Sequence, residues 1–180
     1  MFNADHICRQ LAKKYGGSSE TLYAPAYAEN KAQKTAFMEN STVKQTLDLA
    51  RKADVALVGI GDMSENSYMV DLGWFTAGEV VQSRLLQGVV GDFAGYDFFD
   101  VHGKAANTVM SDRVIGLGLE EFRPIAEVIA IAAENSKPLA LLGALRTGVV
   151  DVIATSVSNA LTVLNLDEQM KYAEKGENTN

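Results

Sequence analysis

Three largely apolar runs alternate with helix-like segments and predict the strands of a β-sheet. They cover residues 55–58, 128–132 and 149–155. The first run is apolar at every position, whereas a strand with one face in water would alternate polar and apolar side chains. We therefore expect that strand to be buried on both faces. Because helices are predicted between the runs, the pattern indicates an α/β fold with a mostly parallel, Rossmann-like sheet flanked by helices.

Helical periodicity and capping residues predict the elements that connect these runs. The predicted helix starts are Asn3 or Asp5, Thr42 in a capping-box pattern with Gln45, Thr76 or Ala77, Asn135 or Ser136, and Ser156 or Ser158. Gly16 and Gly88 are placed to end two of these helices. The other expected elements are a short strand over residues 21–25, a short helix or an ordered loop over 29–40, and one helical turn over 119–123.

Residues 89–100 are rich in glycine and aromatic side chains, and residues 101–104 look like the end of a hairpin. We interpret them as a small antiparallel hairpin, either an insertion or an extension of the edge of the main sheet.

A chain of 180 residues suits one domain, which we place at residues 1–166. Since the sequence turns polar at Asp167, residues 167–180 are predicted to be a polar tail that frays or is disordered.

The charge of the chain narrows the range of its partners. The net charge is −7 and the sequence pI is about 4.8, so the summed field repels nucleic acid and anionic membranes. An anionic ligand would have to be held by local groups. The sequence has one cysteine, Cys8, no signal-peptide pattern, and no run of about 18 apolar residues that would predict a membrane span. We therefore expect a cytoplasmic protein with no membrane partner.

The candidate ligand-binding residues follow the predicted strands, at the rim where the carboxyl ends of parallel strands meet. Gly59 and Gly61, followed by Asp62, would present backbone N–H groups to an anion, although two glycines would equally serve a tight turn. Lys137 is predicted at a helix N-terminus, where a cation opposes the helix dipole and is better explained by an anion nearby. The alternative is an exposed lysine in water. Thr155 adds a hydroxyl after the last strand.

The loop after the two glycines carries further polar candidates. Ser64, Asn66 and Ser67 would bind sugar hydroxyls or phosphate, or else they belong to a solvated loop. His6 and Cys8 are interpreted as ordinary helix residues. We expect no cofactor and no metal ion.

Several motifs resemble those of the effector-binding domain of the SorC family of bacterial transcriptional regulators. The residues that carry the resemblance lie at 22–25, 58–61, 89–92, 95, 98–100, 103, 113–117, 137 and 144–148. The resemblance implies a fold like that of sugar-phosphate isomerases and a pocket for a phosphorylated sugar or related metabolite. It also implies that Asp92 and Lys137 line this pocket, and that the protein forms homo-oligomers.

The chain departs from the family's pattern at three places. The family usually has glycines before the lysine, where this chain reads Ala132-Ala133-Glu134-Asn135-Ser136. It commonly has an aspartate after the last strand's threonine, where Ser156 follows Thr155 here. A first strand and an N-terminal DNA-binding domain are also expected before the helix that opens this chain, so we interpret the sequence as an N-terminally truncated member that would bind DNA only through a domain it lacks.

The sequence therefore predicts a domain that senses a phosphorylated sugar in order to control a carbohydrate operon. It is not expected to be an enzyme. The alternatives are an enzyme like a sugar-phosphate isomerase or deaminase, with acid/base groups among Asp92, Asp97, Asp100 and His102, and a remnant without a ligand. Because the four residues crowd one predicted hairpin, alternation would send neighbours to opposite faces, and we do not expect them to converge.

Overall fold

A computed structural model of the chain describes residues 4–94 and 97–177. Asn3, Gly95 and residues 178–180, on which parts of the predictions above rest, lie outside these ranges. The elements of the described residues are, in order, α1 (Ala4–Tyr15), α2 (Lys31–Glu39), α3 (Ser41–Ala50), β1 (Val55–Asp62), α4 (Tyr68–Asp71), α5 (Ala77–Gln87), β2 (Val89–Phe93), β3 (Asp97–Asp100), β4 (Ala105–Ala106), α6 (Leu119–Phe122), β5 (Glu127–Ala132), α7 (Pro138–Arg146), β6 (Val152–Thr155) and α8 (Val157–Glu177).

A six-stranded sheet with the strand order β4-β3-β2-β1-β5-β6 forms the centre of the fold. β1 runs parallel to β5, and β5 runs parallel to β6. The predicted antiparallel hairpin is present as β2 and β3, and together with β4 it extends the same sheet from β1 instead of forming a separate insertion. Since helices flank this sheet, the predicted α/β class is confirmed.

The central strands bury one of their two faces. In β1, Val58 and Ile60 are 8% and 1% exposed, whereas Val55 and Leu57 on the opposite face are 48% and 53% exposed. Val58 and Ile60 share a core cluster with Leu141 of α7. The prediction that β1 is buried on both faces is therefore wrong. An apolar run does not distinguish a strand that is covered twice from one whose second face stays open.

Helix α7 covers the buried face, and α8 packs against α7. α7 packs against β1, β2 and α8, which explains why it is apolar almost throughout. α8 continues to Glu177, and Asp167 forms an ion pair with Arg146 of α7 at 2.8 Å. The prediction that the chain frays or is disordered from Asp167 onward is thus wrong up to Glu177. Charge pairing and the packing of Met170 against the core extend the helix. No helix in the described ranges is both long and apolar enough to span a bilayer.

Three local predictions are corrected by the backbone. Residues 21–25 form no strand, and the only bridge nearby within the described residues joins Tyr27 to Val114. α3 begins at Ser41 and is capped by the side chain of Asn40, not by Thr42. Lys137 itself is the residue that caps α7, and it makes no side-chain capping bond. The predicted helix start at Thr76, the stop at Gly88 and the cap at Ser156 are confirmed, and Thr76 forms a capping box with Glu79.

An ion pair fixes the segment that leads into α5. The carboxylate of Glu79 accepts hydrogen bonds from the N–H and hydroxyl of Thr76 and pairs with Arg113 at 2.6 Å. The guanidinium of Arg113 lies over the ring of Phe75 at 5.0 Å. Burial alone would raise the pKa of the Glu79 carboxyl, but the bonds from Thr76 and the charge of Arg113 hold this pKa below its ordinary value.

Glu79→Gln is expected to lower the free energy of unfolding by about 1–2 kcal/mol at pH 7, because charge-assisted hydrogen bonds are lost. A carboxyl with a lowered folded-state pKa stabilises the fold above its unfolded-state pKa, and this stabilisation disappears as pH falls through the folded-state pKa. The difference between wild type and variant should therefore shrink below about pH 4. Urea denaturation at pH 7 and at pH 3.5 checks this, and a difference that is the same at both pH values would contradict it.

Candidate functional site

A cavity of about 880 Å³ runs along β1 and is lined by every residue of that strand. Successive residues of a strand point to opposite faces, so a cavity that touches all of them lies beside the edge of the strand. One edge of β1 pairs with β5 from Val55 to Gly59, and β2 joins the other edge only from Ile60 onward. The cavity therefore follows the edge of β1 that β2 leaves uncovered.

The two ends of this cavity differ in chemistry. The apolar end is lined by Leu22, Leu47, Ala50, Leu117, Phe122 and Ile125. The polar end is lined by Gly61, Asp62, Ser64, Asn66, Ser67, Asp92, Glu134, Ser136 and Lys137. The volume falls within the range of about 300–1,000 Å³ that is typical of small-molecule sites. The predicted candidates Gly59, Gly61, Asp62, Asp92 and Lys137 thus share one cavity.

Asp92 occupies the space that a side chain at position 61 would fill. Gly61 lies opposite Asp92 in the ladder between β1 and β2. A Cβ atom added to Gly61 would lie 1.7 Å from Oδ2 of Asp92 and 2.7 Å from its Cγ. Asp92 is 4% exposed. Its carboxylate packs against Gly61 and also borders the cavity. Glycine is therefore needed at position 61, because a side chain there would collide with this carboxylate.

The predicted role of the two glycines as a turn is wrong. Neither Gly59 nor Gly61 has a positive φ, and both lie within β1. The N–H of Ala94 donates to the carbonyl of Gly59 at 2.9 Å. Since bonded and non-bonded pairs alternate in an antiparallel ladder, Gly61 and Asp92 form the next bonded pair, and this pairing uses the N–H of Gly61. That N–H is thus not available to an anion.

Lys137 brings the positive charge to the polar end. It is the only cation among the described residues that line the cavity, and its side chain is 18% exposed. Its Nζ atom lies 3.1 Å from Oε2 of Glu134, whose side chain is 66% exposed. A hydrogen bond from the backbone N–H of Glu134 and another from Lys137 hold the pKa of the Glu134 carboxyl below its ordinary value. The ammonium thus faces the cavity with one carboxylate beside it.

The loop after β1 contributes a hydroxyl group with an unmet hydrogen-bonding capacity. Oδ1 of Asp62 accepts from the N–H of Ser64 at 3.2 Å, which folds the start of the loop back on the strand. Ser67 is 8% exposed and borders the cavity, yet its hydroxyl has no hydrogen-bond partner among the described residues. Buried hydroxyls are nearly always paired, so an orphan beside a cavity suggests that a ligand supplies the partner.

Other predicted residues lie away from the cavity or are used within the fold. The hydroxyl of Thr155 donates to the carbonyl of Ala132 at 2.5 Å, and Thr155 does not border the cavity. Asp97 accepts from the N–H of Leu119, and Asp100 accepts from the N–H groups of two residues in the turn that follows it. The acidic residues of the hairpin therefore do not converge with Asp92.

A protein-family model described as "Putative sugar-binding domain" matches residues 1–165. The match covers more than half of the chain. The chain belongs to this family of sugar-binding domains. The sugar-binding domain of a transcriptional repressor from Vibrio fischeri is 61% identical, with a TM-score of 0.86 over 92% of this chain and 66% of that one. A DeoR-family transcriptional regulator from Listeria monocytogenes is 34% identical, with a TM-score of 0.81 over 88% of this chain and 64% of that one.

Curated relatives of the sugar-binding domain are longer proteins. The erythritol catabolism regulatory protein EryD of Brucella abortus is 25% identical over 81% of this chain and 45% of its own length. The transcriptional regulator LsrR of Escherichia coli K12 is 29% identical over 82% of this chain and 47% of its own length. The chain thus spans about half the length of the curated relatives it matches. The full-length sorbitol operon regulator SorC of Klebsiella pneumoniae shares the fold, with a TM-score of 0.78.

Two features of the site were not predicted from the sequence. The first is the ion pair between Glu134 and Lys137. These residues are three positions apart, a spacing from which the pair could have been suggested. The second is the apolar wall opposite the polar end, where Leu117, Phe122 and Ile125 meet β1 through the folding of distant segments. No local pattern in the sequence indicates that wall.

Proposed function

We propose that this chain is the effector-sensing domain of a transcriptional regulator and that its cleft binds a phosphorylated sugar or a related metabolite. Membership of the sugar-binding family supports the class of ligand. The regulatory role is supported by relatives such as EryD and LsrR, whose names describe regulators. Binding of DNA would then belong to a part of the regulator outside this chain.

The observation that carries the proposal is the meeting of three different groups in one cavity. The ammonium of Lys137 suits a phosphate group, which is the only part of such a ligand with a formal charge. The buried carboxylate of Asp92 suits sugar hydroxyls, because an ionised carboxylate accepts hydrogen bonds but does not donate them. The orphan hydroxyl of Ser67 is able either to donate or to accept. Together they match a polyol that carries one anionic end.

A thermal-shift screen of triose, pentose and hexose phosphates, each beside its unphosphorylated sugar, tests this proposal. A ligand that binds only the folded state raises the melting temperature, and its stabilisation grows with the logarithm of the ratio of ligand concentration to Kd. We expect at least one phosphorylated compound to raise it and its unphosphorylated partner to raise it less. A screen in which no compound changes the melting temperature would contradict the proposal.

Ser67→Ala is expected to leave the free energy of unfolding of the ligand-free domain nearly unchanged, because the hydroxyl has no hydrogen-bond partner to lose within the described part of the chain. The same change should weaken ligand binding by about 3- to 10-fold, since a hydrogen bond contributes about 0.5–1.5 kcal/mol. Urea denaturation and calorimetric titration measure the two quantities. Thr162→Ala is a control outside the cavity, where an exposed hydroxyl already donates to the carbonyl of Ser158. Unchanged affinity in the Ser67 variant would remove this residue from the site.

The enzyme alternative has less support from the geometry. The cavity holds Asp92 but not Asp97, Asp100 or His102, so the acid/base groups that the sequence suggested do not meet there. The relatives are regulators and not enzymes by name. Turnover of any sugar phosphate by the purified domain would favour the enzyme instead.

Self-association is proposed as well, by analogy with the family, and light scattering tests it.

A further inference from the structure

Glu134 is placed so that its side chain moves easily while its backbone does not. The amide of Asn159, a residue that is 2% exposed, donates to the carbonyl of Glu134 at 3.0 Å. Asn159 is itself held by the hydroxyl of Thr155, which bonds to the end of β5. The backbone of the loop between β5 and α7 is thus anchored by a hydrogen bond from Asn159 of α8. The carboxylate of Glu134, by contrast, belongs to a side chain that is 66% exposed.

The two partners of the ion pair differ in their freedom to leave it. The side chain of Lys137 is 18% exposed and borders the cavity, so most of it is packed against the protein. The carboxylate of Glu134 can turn into water, where its charge is well solvated. Surface ion pairs contribute only about 0–1 kcal/mol, and the exposure of Glu134 lets water screen this one, so separating it costs little. An anion in the cavity would therefore take the place of the carboxylate on Lys137.

The charges of the cavity strengthen this competition. Asp62, Asp92 and Glu134 carry carboxylates at the polar end, against the single ammonium of Lys137. A phosphate dianion beside Lys137 would stand close to the carboxylate that Lys137 now contacts at 3.1 Å. Like charges at such separations repel each other by an amount comparable to the attraction in the ion pair. Binding of an anion thus favours movement of the Glu134 carboxylate away from Lys137.

We propose that Glu134 is an internal competitor that occupies Lys137 until an anionic ligand displaces it, and that it thereby sets the ligand concentration to which the domain responds. This inference rests on the proposed function, because it assigns a role to Glu134 in the same site. It makes Glu134 a residue that determines affinity for the anionic end of the ligand, without any contact to the sugar.

The test compares Glu134→Gln with wild type and with Glu127→Gln. Glu127 is an exposed glutamate at the opposite end of β5, and its replacement changes the net charge by the same amount. Calorimetric titration uses inorganic phosphate, sulfate and the most active compound of the sugar-phosphate screen. We expect Glu134→Gln to bind each anion about 3- to 10-fold more tightly than wild type, as the removal of one ion pair and one like-charge repulsion implies. Glu127→Gln should match wild type within about twofold.

A ligand-independent measurement accompanies the titration. In the free domain at a fixed pH, the NMR signals of the Lys137 side chain should shift in Glu134→Gln and stay as in wild type in Glu127→Gln, because only the first variant removes the group that Lys137 contacts. If wild type binds a sugar phosphate but Glu134→Gln gains no affinity, or if Glu127→Gln gains as much, the role of Glu134 is overturned and the proposed function stands. If neither wild type nor Glu134→Gln binds any anion, both are overturned.

Discussion

Lys137→Gln is expected to weaken binding of a phosphorylated sugar by about 10- to 100-fold, since a hydrogen bond to a charged group contributes about 1.5–3 kcal/mol. Lys137 is the only cation among the described residues that line the cavity, so no other side chain there replaces it. The free energy of unfolding should change by less than about 1 kcal/mol, because the partner that Lys137 leaves, Glu134, has a side chain that is 66% exposed and that water can solvate. Calorimetric titration and urea denaturation measure the two effects.

Two further variants make this prediction specific. Lys104→Gln removes the same charge from an exposed position outside the cavity, and it should bind like wild type. Lys137→Arg keeps the charge and should restore part of the affinity. The unphosphorylated sugar should lose little affinity in Lys137→Gln. Equal losses for the sugar and its phosphate would show that Lys137 shapes the cavity instead of binding the anionic group.

Gly61→Ala is expected to lower the free energy of unfolding by about 1–3 kcal/mol, which is the usual cost of extra atoms in a packed interior. The new Cβ would lie 1.7 Å from Oδ2 of Asp92, so the buried carboxylate has to move. The same displacement should weaken ligand binding by at least about tenfold, because sugar hydroxyls lose their acceptor. Chemical denaturation and titration measure the two effects.

Gly59→Ala is the matched control for this variant. It makes the same substitution two residues earlier on the same strand and the same face, and a Cβ added there meets no atom within 4 Å. We expect its free energy of unfolding to equal that of wild type or to rise by up to about 1 kcal/mol, because alanine restricts the unfolded chain more than glycine does. Equal destabilisation by the two changes would show that position 61 has no special need for glycine.

Local patterns in the sequence predicted the order of helices and strands, but they did not predict which faces of the sheet are buried. Capping residues such as Thr76 and Ser156 act within a few residues, so they predicted helix starts correctly. Whether Val55 and Leu57 face a helix or water depends on which distant segments pack there, and the apolar run carries no such information. The same holds for α8, whose extension beyond Asp167 depends on Arg146, 21 residues away.

The candidate site was predicted in part, and for Gly59 and Gly61 the reason was wrong. Five of the six predicted residues meet in the cavity, because the carboxyl ends of β1 and β5 lie side by side in a parallel pair. Gly61 was singled out for the freedom of its backbone, whereas the structure requires it for the space that Asp92 occupies. Thr155 was predicted from its place after a strand, but its hydroxyl bonds to the neighbouring strand.

The most direct test of the account is a calorimetric titration of the wild-type domain with the most active sugar phosphate of the screen and with the same sugar lacking phosphate. The account predicts that the phosphorylated compound binds at least about tenfold more tightly, and that Lys137→Gln removes most of this difference. Equal affinity for the two compounds, or a difference that survives in Lys137→Gln, would contradict the assignment of the anionic group to Lys137.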